Sequence, residues 1–61
     1  MDATPANALK VILSIGAPIR VPTACWVLID VFNITDHKAR NLLQALAAEE
    51  SITIDNGGWI Q

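Results

Sequence analysis

The sequence predicts a mainly α-helical fold with a small β-hairpin at its C-terminal end, and three observations carry that prediction. Ala39, Leu42, Leu43, Leu46 and Ala47 recur at the i, i+3, i+4, i+7, i+8 spacing of a single helix face. Two earlier apolar stretches, residues 5–15 and 24–32, are each bounded by residues that start or stop helices. Finally, Ser51-Ile52-Thr53-Ile54 and Trp59-Ile60-Gln61 are β-prone runs on either side of the turn sequence Asp55-Asn56-Gly57-Gly58.

Each element has its own local signals. Thr4 before Pro5 reads as a helix start, because the threonine oxygen can take an orphan amide hydrogen and proline at the first helical position sacrifices no hydrogen bond. Gly16 and Pro18 then stop the helix near Ile15. Its apolar face is wide: Val11 and Leu13 join Ala8, Leu9, Ile12 and Ile15, leaving Asn7, Lys10 and Ser14 as the polar stripe. Ile19-Arg20-Val21 is a short β-prone piece, fit to pair with the edge of the later hairpin, and Pro22 is expected to end it. Thr23 is expected to cap a second helix from Ala24 to about Phe32, apolar nearly all round except at Asp30.

Asn33 tolerates the left-handed backbone that a tight turn between helices requires, and Ile34 then points back to the core. Thr35 caps the third helix, and Asp36 places a carboxylate at its positive end. In the hairpin, a two-residue Asn56-Gly57 loop pairs Ile54 with Trp59. A three-residue Asn56-Gly57-Gly58 loop instead puts Ile54 and Ile60 on one face, and is favoured because it turns both isoleucines inward.

Sixty-one residues suffice for one domain, spanning 1–61, whose stability margin is thin at this size. The composition is 52% hydrophobic and only 16% charged, far from that of a disordered chain. A single cysteine, Cys25, cannot form an internal disulfide and fits a reducing compartment; with no export signal and no apolar run of membrane-spanning length, a cytoplasmic location is expected. The net charge of −2 runs against the basic excess usual in nucleic-acid binders. Its distribution is uneven: Arg20, Lys38 and Arg40 lie before or within the third helix, while Glu49, Glu50 and Asp55 follow it.

The order helix, short strand, helix, turn, helix, hairpin is that of a winged helix-turn-helix, with a two- or three-stranded antiparallel wing. Leu28, Phe32, Ile34, Ala39 and Leu42 fall where the two helices and their turn must pack; Ile29 departs from the small residue often found at that junction. Opposite the core stripe, the third helix presents His37, Asn41 and Gln44, flanked by Lys38 and Arg40. Arginine can bond a guanine edge through two hydrogens, asparagine and glutamine can do so for adenine, and lysine or histidine can meet a phosphate. The expected DNA-binding set is therefore His37, Lys38, Arg40, Asn41 and Gln44 with Thr35 at the helix start, and Arg20, Asn56 and Gly57 near phosphates.

The run Ile34-Thr35-Asp36-His37-Lys38-Ala39-Arg40-Asn41-Leu42-Leu43 resembles the third helix of the PapI/FaeA-like winged-helix regulators of fimbrial operons. In that family a Thr-Asp pair opens the helix and an Ala-Arg pair follows one turn later, as Thr35, Asp36, Ala39 and Arg40 do here. The resemblance covers the third helix start and implies a small bacterial or phage-borne transcription regulator.

No arrangement of enzymatic residues is apparent. His37 lacks a cysteine partner at metal-ligand spacing, Ser14 and Ser51 have no base attached, and Asp55-Asn56-Gly57-Gly58 is not followed by the lysine or helix start of a phosphate loop. Neither a metal nor a cofactor is expected, and Cys25 reads as a buried thiol with nothing cationic beside it. The competing reading is a protein-binding module, because the apolar surplus at Val11, Leu13 and Trp26, with Trp59, exceeds what one small core can use. The two readings are compatible if that surplus forms a homodimer, as a twofold DNA reader requires.

Overall fold

The structure, a computed structural model, describes residues 2–16 and 18–61. It is mainly helical, with three helices and a small two-stranded antiparallel sheet: α1 (Pro5–Ile15), β1 (Ile19–Arg20), α2 (Val21–Phe32), α3 (Asp36–Ala48) and β2 (Trp59–Ile60). No helix among the described residues is long and apolar enough to cross a membrane.

The ends of α1 follow the local chemistry. Thr4 Oγ1 accepts from the Asn7 backbone N–H at 3.2 Å, Pro5 opens the first turn, and Gly16 leaves the helix at φ +96. At the other junction, Asn33 adopts φ 55, ψ 50, the left-handed conformation a reversal of this length needs. Two residues later Thr35 Oγ1 accepts from the Lys38 N–H at 3.2 Å and starts α3.

The start of α2 differs from the sequence expectation. The helix begins at Val21, with Arg20 in the capping position and no side-chain cap bond, so Thr23 lies inside the first turn and Val21 is helical rather than extended. Proline at the second helical position is tolerated because its missing N–H would be an orphan there in any case. The Val21 N–H, another such orphan, donates to the Gly58 carbonyl at 2.8 Å, a partner supplied from the far end of the chain.

The strand register is Ile19 opposite Ile60 and Arg20 opposite Trp59. Residues 51–54 form a lighter arm than the expected strand: Ile54 makes a single bridge to Ile60. Thr53 and Gln61 exchange both backbone hydrogen bonds (3.3 and 2.9 Å), and the Asp55 N–H donates to the Trp59 carbonyl at 3.0 Å. The loop is therefore the three-residue form, with Gly58 at φ +80 and Ile54 and Ile60 on a common face.

The core is apolar throughout, with no buried polar or charged residue among those described. Ala8 and Ile12 of α1, Ala24, Cys25 and Leu28 of α2, and Ala39, Leu42, Leu43 and Leu46 of α3 meet there, closed at one end by Ile19, Ile52 and Ile60. The third helix packs on both others, its N-terminal end next to the turn and its C-terminal end next to residue 52. That second end is closed by an uncommon residue: Glu50 sits at φ 62, its N–H donating to the Ala47 carbonyl (3.1 Å) while Ser51 donates to Leu46 (2.9 Å). This is the paired bonding of a Schellman motif, with glutamate where glycine is usual.

Candidate nucleic-acid interface

With Ala39, Leu42, Leu43 and Leu46 committed to the core, the 100° step of the helix turns His37, Asn41 and Gln44 to the opposite side, and all three are exposed. Lys38 and Arg40 flank them and are exposed as well, as is the cap residue Thr35. The six expected residues of this region thus share the outer side of α3 from its cap to Gln44. They present a hydroxyl, a guanidinium, an ammonium, an imidazole and two carboxamides, hydrogen-bonding groups that can address base edges and phosphates.

Arg40 is not free-standing. Its Nε donates to Asp36 Oδ2 at 2.9 Å, one helical turn earlier, and both side chains remain more than half exposed. The hydrogen bond it donates to Asp36, then the Asp36 charge, raises the Arg40 pKa above the ordinary arginine value, so the group is cationic at any working pH. Asp36 itself belongs to the site, although the sequence reading assigned it only to the helix dipole; its i, i+4 spacing from Arg40 was the available signal.

Arg20, Asn56 and Gly57 form a second group. Antiparallel pairing places Arg20 beside Trp59, where its guanidinium lies 5.2 Å from the ring centroid and its Nη2 donates to the Gly57 carbonyl at 3.4 Å. Asp55 organises the loop from within: Oδ1 accepts from the backbone N–H groups of Gly57 and Trp59, each at 2.9 Å. Asn56 and Gly57 are exposed at the tip. Trp59 is thus the residue of this group that sequence reasoning did not include, since its stacking on Arg20 depends on the β1–β2 register. No hydrogen bond joins this group to the α3 group among the described residues.

Cys25 is a buried residue of α2. Burial raises its thiol pKa; the nearby Arg40 cation pulls the other way without overcoming it, and Asp36 adds to the rise. The expectation that nothing cationic stands beside Cys25 is therefore corrected: α2–α3 packing brings Arg40 within electrostatic reach, although the buried thiol keeps its proton.

Of the three residues expected to form a partner surface, Trp26 is 74% exposed and Leu13 68% exposed, whereas Val11 is half-buried against the core. Ile15 and Val31 are also exposed. Comparison with protein-family models, curated proteins and solved structures found no match to this chain.

Proposed function

We propose that the chain is a small winged helix-turn-helix DNA-binding regulator of transcription that lays the first half of α3 in the major groove. One observation carries the reading: the left-handed Asn33 is followed at once by the Thr35-capped α3, leaving Thr35, His37, Lys38, Arg40, Asn41 and Gln44 exposed together. In this reading β1, β2 and the 51–54 arm are the wing, with Arg20, Asn56 and Gly57 near the phosphate backbone.

The acidic balance is compatible with this arrangement. Glu49 and Glu50 lie at the opposite end of α3 from Asp36. At 1.5 Å per residue they lie about 13–15 Å along the axis from Arg40, beyond one Debye length of about 8 Å at physiological salt. Asp55 engages backbone N–H groups of its own loop.

The deciding experiment is an amide-shift NMR titration of the labelled protein with a generic duplex, at low and then near-physiological salt. Shifts confined to residues 35–45, Arg20 and 56–57, fading as salt rises, are expected. An unchanged spectrum at low salt overturns the reading.

The exposure of Trp26 and Leu13 favours a second reading, a protein-protein interaction module built on α1 and α2, or a homodimer of the DNA reader through the same residues. Sedimentation equilibrium of the wild type and Trp26→Glu distinguishes them. Self-association lost in the variant identifies the homodimer, while a monomer that also fails to bind DNA leaves the interaction module.

A further inference from the structure

We infer that Asp36 is a positioning residue that holds Arg40 for two-pronged reading of a guanine, which makes Arg40 the specificity-determining side chain of α3. The inference rests on the DNA-reading proposal above and names the base which that proposal leaves open.

Its basis is which nitrogen the aspartate occupies. A guanidinium has five N–H donors in one plane, one on Nε and two on each terminal nitrogen. Asp36 Oδ2 takes the Nε hydrogen at 2.9 Å, the short distance of a charge-assisted bond. Nη1 and Nη2 make no hydrogen bond among the described residues, so the terminal end of the fork keeps its donors. Guanine presents two acceptors in the major groove, O6 and N7, and a bidentate arginine is the matching partner.

The pair's value lies in orientation rather than stability. Both side chains are more than half exposed, and exposed ion pairs of this kind contribute little to folding. A long, freely rotating arginine, however, loses its freedom on meeting a base, and a neighbour that has already restricted it reduces that loss. Asp36 suits the task because its side chain is short and its backbone lies in the capped first turn, immediately after Thr35. Lys38, on the other flank, has an ammonium with no ion-pair partner among the described residues, and it carries a point charge suited to phosphate.

The test is selection from randomised duplexes with the wild-type protein, followed by binding titrations of wild type, Asp36→Ala, Arg40→Ala and the double variant on the selected site. Wild type is expected to enrich a guanine at one position and to lose roughly tenfold or more when that guanine becomes adenine. In Asp36→Ala this penalty is expected to fall to within about twofold, while preferences at other positions and the salt dependence persist. Adding Arg40→Ala to Asp36→Ala is then expected to change that position no further. Circular dichroism confirms that the variants remain folded. A guanine preference undiminished in Asp36→Ala overturns the inference and leaves DNA reading intact, as does selection without any enriched guanine. Failure of the wild type to bind any duplex overturns both.

Discussion

The Arg20 guanidinium lies 5.2 Å from the centre of the Trp59 ring, joining the residue before α2 to the last strand of the chain. Three contacts meet at this seam: the stack, the Arg20 bond to the Gly57 carbonyl, and the Val21 N–H bond to the Gly58 carbonyl. Arg20 therefore serves the fold, whatever it contacts in the proposed DNA complex.

A double-mutant cycle of Arg20→Ala and Trp59→Ala is expected to give a coupling of about 0.5–1 kcal/mol, the usual range for an exposed cation–π pair. Urea unfolding followed by circular dichroism measures it. Strict additivity of the two losses would show that the stack contributes nothing.

Thr35 and Thr23 are expected to differ sharply. Thr35→Ala removes the bond to the Lys38 N–H and is expected to cost about 1 kcal/mol. Thr23→Ala, inside the first turn of α2 and capping nothing, is expected to change stability by no more than about 0.5 kcal/mol. Equal losses in parallel urea titrations would contradict the observed start of α2.

Glu50→Gly is expected to stabilise the protein. Glu50 holds φ 62, a conformation that glycine adopts without steric cost. The expected gain is about 0.5–1 kcal/mol, and in a domain of this size each kcal/mol raises Tm by roughly 4–8 °C. A lower Tm would mean that the Glu50 side chain contributes more than its backbone strain costs.

Alkaline stability is expected to depend on Cys25. Burial raises its folded-state pKa above the ordinary 9.0, so the unfolded chain loses the thiol proton first as pH rises. This contribution is complete below about pH 9, falls as pH climbs past the ordinary value, and is gone above the folded-state one. Urea unfolding from pH 7 to 10 is expected to show a shallower alkaline decline in Cys25→Ala than in wild type. Identical slopes would assign the decline to other groups.

Much of the fold was legible because its signals are local. Thr4-Pro5 and Gly16 marked both ends of α1, Asn33 and Thr35 marked the α2–α3 junction, and the spacing from Ala39 to Leu46 marked the buried face of α3. The preference for a loop that turns Ile54 and Ile60 inward rested on a two-residue periodicity, and their bridge follows it. Pro22 misled, because proline can end a strand or sit in the first turn of a helix and nothing nearby distinguishes the two. The end of α3 carried no glycine signal, since Glu50 takes the left-handed position.

The candidate site divides in the same way. That His37, Asn41 and Gln44 face away from the core follows from helical spacing alone, and the Asp36–Arg40 pair from an i, i+4 relation. Trp59 under Arg20, and Arg40 near Cys25, required two distant segments to be placed together.

By itself, then, the sequence determined where helices form and which face of α3 is apolar, because caps, turns and periodicity act over a few residues. Only the tertiary structure decided where α2 begins, that Trp59 lies under Arg20, and that Val11 is half-covered while Leu13 and Trp26 are not. The physical reason is that burial and the last hydrogen-bond partners are supplied by remote chain, as when Gly58 takes the Val21 N–H.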